Sequence, residues 1–167
     1  FFADCSVNID PSATELSHIA LETAKLASQY TQDPIRIGML SFASFGSTPH
    51  PQTKKVRDAV QLIRAANPAI EVDGEMQVDI ALNKAMRQEA FPHCQLTGNA
   101  NVLVFPDLAS ANIGYKLVSN FTEATPVGPV LIGLKKAATV LQRVATAKEI
   151  VDMIYITVHQ WLMINKK

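Results

Sequence analysis

The chain has 167 residues, 48% of them apolar and 18% charged, with 15 basic side chains balancing 15 acidic ones. That length suits one domain, or one domain with part of another, and the apolar share builds a core and excludes a disordered chain. Zero net charge gives no basic surface for nucleic acid, and no apolar run reaches the roughly 18 residues of a membrane span. Cys5 and Cys94 fit no disulfide framework and no zinc spacing, which favours a reduced, cytoplasmic setting.

In chain order, Phe1-Phe2-Ala3-Asp4-Cys5-Ser6-Val7 has the pattern of a buried strand. It has no methionine or polar lead-in and is too short for a signal peptide, so it reads as the start of a fragment. Ser12 and Glu15 form a capping box. Leu16, Ile19, Ala20, Thr23, Ala24, Leu26 and Ala27 then recur at helical spacing, predicting a helix over 13–30. A strand is expected at 35–40, a small-residue loop from Ser41 to Pro51, and a helix at 52–66 stopped by Asn67-Pro68. A short strand near 70–73 enters an acidic turn, and 77–90 reads as helix. After a loop over 91–99, the continuous apolar run 101–105 is a strand covered on both faces. A helix at 108–122, a strand at 127–132 and a last apolar helix at about 147–163 complete the chain. Strand and helix alternate, so the fold class is α/β, a largely parallel sheet flanked by helices with right-handed crossovers.

Three strand ends lead into polar or small turns: 41–47, Asp73-Gly74-Glu75-Met76-Gln77-Val78-Asp79, and Val104-Phe105-Pro106-Asp107. Such ends gather along one crevice of an open sheet, where ligands bind. Ser41, Ser44 and Ser47 offer hydroxyls and Gly46 an amide, suited to phosphate near a helix N-terminus; an ordinary turn with a helix cap is the competing reading. Glu75 suits general acid/base work, and Asp73, Glu75 and Asp79 suit a metal; capping of the next helix is the preferred explanation. Asn112 and Lys116 open a helix after a strand end and face either the crevice or solvent. The four histidines share no spacing suited to a metal or a catalytic pair, and Cys5 reads as a small buried residue. In the last helix Met153, Ile154, Ile156, Val158, Trp161 and Leu162 read as a core or interface face.

Phe2-Ala3-Asp4-Cys5-Ser6-Val7-Asn8, Met39-Leu40-Ser41-Phe42, Gly46-Ser47, Val72-Asp73-Gly74-Glu75, 100–108, Asn112-Ile113-Gly114-Tyr115-Lys116 and Gly128-Pro129-Val130-Leu131 resemble phosphate acetyltransferases, in order along nearly the whole chain. The resemblance implies the isocitrate dehydrogenase-like, two-domain phosphotransacetylase architecture, incomplete here. Residues 1–130 would be the inserted α/β domain and 131–167 the segment returning to a first domain whose bulk is absent. It also implies acetyl-CoA or CoA and phosphate or acetyl phosphate as ligands, no covalent cofactor or essential metal, and a dimer or larger homo-oligomer.

Phe45, where active members usually carry lysine, and Met76 resemble the acetyltransferase-like C-terminal domain of hybrid bacterial malic enzymes, which acetyl-CoA inhibits. NAD(P) and a divalent metal would then belong to the missing malic enzyme part. Active members carry Asn-Asp-Leu-Ser-Arg-Gly-Cys in the last region, followed by an aspartate. Here Arg143 keeps the arginine, Gln142 replaces the serine, Glu149 stands at the aspartate position, and Asn120 takes the place of a second arginine. The resemblance gives Arg143 and Glu149 as catalytic candidates. Ser41, Ser44, Gly46, Ser47, Glu75, Asn112, Gln142 and Arg143 are the candidates for the ligand cleft. It leaves three readings: a regulatory acetyl-CoA-binding module of a malic enzyme, a working phosphate acetyltransferase, or a transferase for a longer acyl group such as butyryl.

Overall fold

Four short strands pair into one parallel sheet in the computed structural model, which describes residues 1–165. The strands β1 (Phe2–Ala3), β2 (Arg36–Leu40), β3 (Glu71–Met76) and β4 (Val102–Val104) lie in the order β1-β4-β2-β3. Helices α1 (Ala13–Ala27) and α2 (Pro51–Ala66) provide crossovers, and α3 (Val78–Leu82) and α4 (Lys84–Ala90) follow β3. The α/β class with a parallel sheet flanked by helices is therefore as the alternation predicts. Alternate residues of the strands feed two cores. Ile37, Met39, Val102 and Val104 pack with Leu16, Ala20 and Ala24 of α1 and Val56, Val60 and Ile63 of α2. Leu40, Met76 and Leu103 pack with Ile80, Ala81, Leu96 and Ala100. Both sheet faces are covered, which explains why β4 reads as an unbroken apolar run. Each fully buried aliphatic side chain contributes about 1.5–3 kcal/mol.

Local chemistry sets the ends of the elements. The Ser12 hydroxyl accepts from the Glu15 amide while the Glu15 carboxylate accepts from the Ser12 amide, completing the expected capping box. The helix stops at Ala27, short of residue 30, where the Gln29 and Tyr30 amides turn back onto Leu26 and Ala27 carbonyls. The opening strand is only Phe2–Ala3, because the Asp4 carboxylate collects the amides of Ser6, Val7 and Asn8 and bends the chain away. The expected helix 77–90 is two helices. Asn83 is extended, and its side chain accepts from the Met86 amide as the cap of α4.

Two expectations need correction. The acidic stretch is not a turn: β3 runs on through Asp73, Gly74 and Glu75 to Met76. The expected strand 127–132 does not form, and an isolated antiparallel bridge joins Val130 to Thr139 instead. Pro129 removes a donor that a ladder there would need, and Pro126 stands just before it.

Two compact units divide the chain, Phe1–Gly114 and the part from Tyr115 onward, and helix α5 (Leu108–Phe121) carries the boundary. The first unit holds the sheet. In the second, α6 (Ala147–Asn165) buries Met153 and Gln160, and Gln160 donates to the Leu131 carbonyl at 3.1 Å. Ile154, Val158, Trp161 and Leu162 are exposed, so of that predicted apolar face Met153 is the buried member. Among the described residues no helix is long and apolar enough to cross a membrane.

At Gly74 the backbone has φ +147°, and a Cβ there would sit 2.5 Å from the Met39 carbonyl oxygen and 2.8 Å from its Cβ. Gly74→Ala is expected to destabilise the first unit by about 3 kcal/mol, from backbone strain plus overpacking. Urea denaturation of the two proteins measures it, and an unchanged midpoint would refute the tight contact.

Candidate functional site

The loop after β2 is fastened from below by β3. The Ser41 amide donates to the Met76 carbonyl at 2.9 Å, and the Phe45 amide to the Glu75 carbonyl at 2.8 Å. The Gly46 amide donates to Glu75 Oε1 at 2.8 Å. The Ser44 amide meets Ser47 Oγ at 3.2 Å, and the Ser47 amide the Ser44 carbonyl at 3.0 Å. Amides 44–47 are thus all engaged within the protein. Ser44 Oγ accepts from the Gln77 amide at 3.0 Å, while Ser47 and Gly46 are exposed. Phe45, at φ +48°, turns its ring onto Phe91 and His93, with centroids 4.8 and 4.9 Å away.

Glu75 is wholly buried and does not cap a helix. Its Oε1 also accepts from Arg57 Nη1 of α2 at 2.7 Å. Asp73 behaves likewise: Oδ1 takes Arg64 Nη2 at 2.8 Å, and Oδ2 takes the Gln95 amide at 2.7 Å. The capping explanation for these two carboxylates is therefore replaced by arginine pairing. Only Asp79 binds the amide of a helical neighbour, Ile80, at 2.9 Å. Among the described residues no three His, Cys, Asp or Glu side chains group to hold a metal. Arg64 reaches the Val72 carbonyl as well, at 3.0 Å, and the Thr97 amide and hydroxyl bind Glu71. Arg87 is buried among carbonyls, donating to Ile80, Ala81, Leu96 and Gly98.

The third strand end is tied to the segment that follows β1. Lys55 of α2 binds Asp10 at 2.7 Å and the Pro106 carbonyl at 3.0 Å, and Asn112 Nδ2 donates to the Cys5 carbonyl at 3.2 Å. Burial, reinforced by the Asp4 charge, pushes the Cys5 thiol up to about 11. Burial, with Asp73 nearby, does the same to Cys94.

The remaining predicted residues lie in the second unit. Gln142 and Arg143 are exposed, and neither side chain has a partner among the described residues. Glu149 sits in the first turn of α6. Its Oε2 accepts from the Thr146 amide at 2.6 Å and hydroxyl at 2.8 Å, and the Thr146 hydroxyl accepts from the Glu149 amide. These bonds hold its carboxyl below the usual range. Ser41, Ser44, Gly46, Ser47, Glu75 and Asn112 thus share the first unit, and Gln142, Arg143 and Glu149 the second.

Arg57 and Arg64 escaped the sequence reading. Their signal was present: arginines seven apart on the helix preceding a strand whose carboxylates are two apart. In a crossover the helix runs against the strand, so the earlier arginine meets the later acid.

A family model described as phosphate acetyl/butaryl transferase matches residues 1–158. The chain belongs to that family. It is 46% identical over 159 residues to a phosphate acetyltransferase from Paracoccus denitrificans, covering 95% of this chain and 50% of that protein. It is 39% identical over 154 residues to an NADP-dependent malic enzyme from Haemophilus influenzae, covering 92% of this chain and 20% of the enzyme. A phosphotransacetylase from Streptococcus pyogenes superposes with a TM-score of 0.91 at 41% identity, covering 97% of this chain and 49% of that one. The chain spans about half the length of the phosphate acetyltransferases from Paracoccus denitrificans and Clostridium acetobutylicum, and a similar stretch occurs within malic enzymes.

Two measurements check the electrostatics of this family member. With thiols at about 11, alkylation by iodoacetamide at pH 8 should run about a hundredfold slower than for free cysteine. A rate matching free cysteine would overturn the burial argument. Glu149 has a folded pKa below that of an ordinary glutamate, so its stabilising effect is fully present above the ordinary value and is lost as pH falls through the lower folded value. Glu149→Gln should therefore lower the melting temperature at pH 7 and leave no difference at strongly acid pH. An equal deficit at both would show that its charge is immaterial.

Proposed function

We propose that this chain is the phosphotransacetylase-like regulatory part of a malic enzyme, binding acetyl-CoA as an effector with efficient acetyl transfer lost. Residues 1–130 are the inserted domain in this reading, and 131–167 return to a domain outside the chain. The observation that carries it is the Thr146–Glu149 capping box. The carboxylate at the family's aspartate position is held by a helix cap and kept ionised, which makes it a weak acceptor for a thiol proton. Gln142 stands where active members have serine, and Phe45 sends a ring into an aromatic cluster where they have lysine. Losing one positioning group commonly costs about 3 kcal/mol of transition-state stabilisation, a hundredfold in rate. Binding needs less, so a former active site can persist as a sensor. A ligand coupled to a distant dehydrogenase site shifts it by about 1–3 kcal/mol.

In this reading the ligand residues of the first unit come from Ser41, Ser44, Gly46, Ser47, Glu75 and Asn112, of which Ser47 and Gly46 are exposed, and those of the second are Gln142 and Arg143. NAD(P) and a divalent metal act in the malic enzyme part outside the chain. We also place the protein in the cytoplasm as a homo-oligomer. Ile113, Leu117 and Phe121, exposed and four apart on α5, support the assembly.

A second reading is an active phosphate acetyltransferase, favoured by the higher identity to the Paracoccus enzyme, 46% against 39% for the malic enzyme. The thiol of CoA would lose its proton to Glu149 or Glu75 and form a bond to the acetyl carbon. Phosphate would leave with the C–O electron pair, held by Arg143.

One assay separates the two readings: acetyl-CoA formation from acetyl phosphate and CoA by the full-length protein, with malate oxidation followed alongside. The expected result is negligible turnover and malate oxidation that falls as acetyl-CoA is added. Turnover near 1–10³ s⁻¹ would overturn the regulatory reading in favour of the enzyme.

A further inference from the structure

Arg57 is a partly exposed cation outside the ligand contacts proposed for the chain. It lies on α2 with its side chain 36% exposed, beside the loop that follows β2. Only Nη1 is engaged, on the Oε1 of wholly buried Glu75, and its remaining donors have no partner among the described residues. The same Oε1 accepts the Gly46 amide, so one fixed carboxylate oxygen holds both the guanidinium and the crown of the loop. Glu75 Oε2 is buried without a hydrogen-bond partner, which makes Oε1 the oxygen that organises the site. A guanidinium tethered at one nitrogen loses rotamer freedom and leaves its other N–H groups in a set direction, the preorganised fork that favours phosphoryl oxygens. Because amides 44–47 are engaged within the protein, a phosphoryl group at this loop depends on a side-chain cation.

We propose that Arg57 is an anion-binding residue for a phosphoryl group of the ligand, and that Glu75 is its positioning residue rather than a proton acceptor. This rests on the acyl-CoA-binding reading and extends it to a residue that reading does not use. The phosphoryl group belongs either to the CoA moiety or to free phosphate.

The test is calorimetric titration of the full-length protein with acetyl-CoA, with acetyl-pantetheine, which lacks the nucleotide phosphates, and with inorganic phosphate. Wild type is compared with Arg57→Met, Arg57→Lys, Glu75→Gln and, as a control on the same helix, Lys54→Met. Arg57→Met should weaken the phosphoryl-bearing ligand on the order of ten- to a hundredfold, Arg57→Lys less, and Lys54→Met not at all. A loss for acetyl-CoA but not acetyl-pantetheine assigns the group to CoA; a loss for inorganic phosphate assigns it to the free anion. Glu75→Gln keeps the shape but weakens the tether, so binding should fall severalfold while hydrogen exchange over residues 41–47 speeds up. Folded Arg57→Met binding both anions as wild type does would overturn the proposal and leave the acyl-CoA reading standing. Wild type that binds neither acetyl-CoA nor phosphate would overturn both. If Glu75→Gln lowers the melting temperature without changing affinity or exchange in the loop, Glu75 is a fold residue and the positioning role is wrong.

Discussion

A single buried carboxylate oxygen joins three parts of the first unit. Oε1 of Glu75 receives α2 through Arg57 and the loop after β2 through Gly46, while the Glu75 backbone belongs to β3. An ionised carboxylate out of water is costly unless charge and hydrogen bonds compensate it. Only the Glu75 half of the pair is fully buried, so solvent around Arg57 screens part of the attraction and the loss on removing Arg57 is smaller than for a pair buried on both sides. The loop shape, the direction of Arg57 and the end of β3 therefore stand or fall together. Asp73 repeats the device one step earlier on the strand, with Arg64 and the Gln95 amide.

The α/β class was legible because its signals are local. Ser12 and Glu15 are three residues apart, the apolar stripe of α1 repeats within two turns, and β4 is a run of apolar residues that needs no partner to recognise. The resemblance to acetyltransferases was legible for the same reason, being carried by short contiguous motifs. What stayed hidden depends on groups distant in sequence. Asp73 and Glu75 look like turn residues until Arg64 and Arg57 arrive from the preceding helix and let a strand absorb two carboxylates. Asn83 looks helical in an apolar-periodic stretch until its side chain caps the next helix. Residues 127–132 look like a strand by composition, yet Pro129 denies a ladder there a donor.

Of the candidate site, the small-residue loop was found from its hydroxyls and glycine, but the state of its amides was not. Whether an amide is free for a ligand depends on what lies beneath it, here the end of β3. Glu149 shows the complementary limit. Its place three residues after Thr146 is a capping signature, and in the structure that local role is filled. A motif position shared with an enzyme family fixes where a residue stands, while its hydrogen bonds fix what chemistry remains open to it.

Among the described residues β3 is the last strand of its sheet, so no strand lies beside its outer rim. Arg64 covers the Val72 carbonyl there, while Gln95 and Thr97 hold the side chains of Asp73 and Glu71. An open rim of this kind is a template on which another chain can add a strand. The connection from α4 to β4 thus works as a guard rail as well as a link. Loosening residues 95–97 would cost more than local order, because it would bare the unpaired backbone of an edge strand.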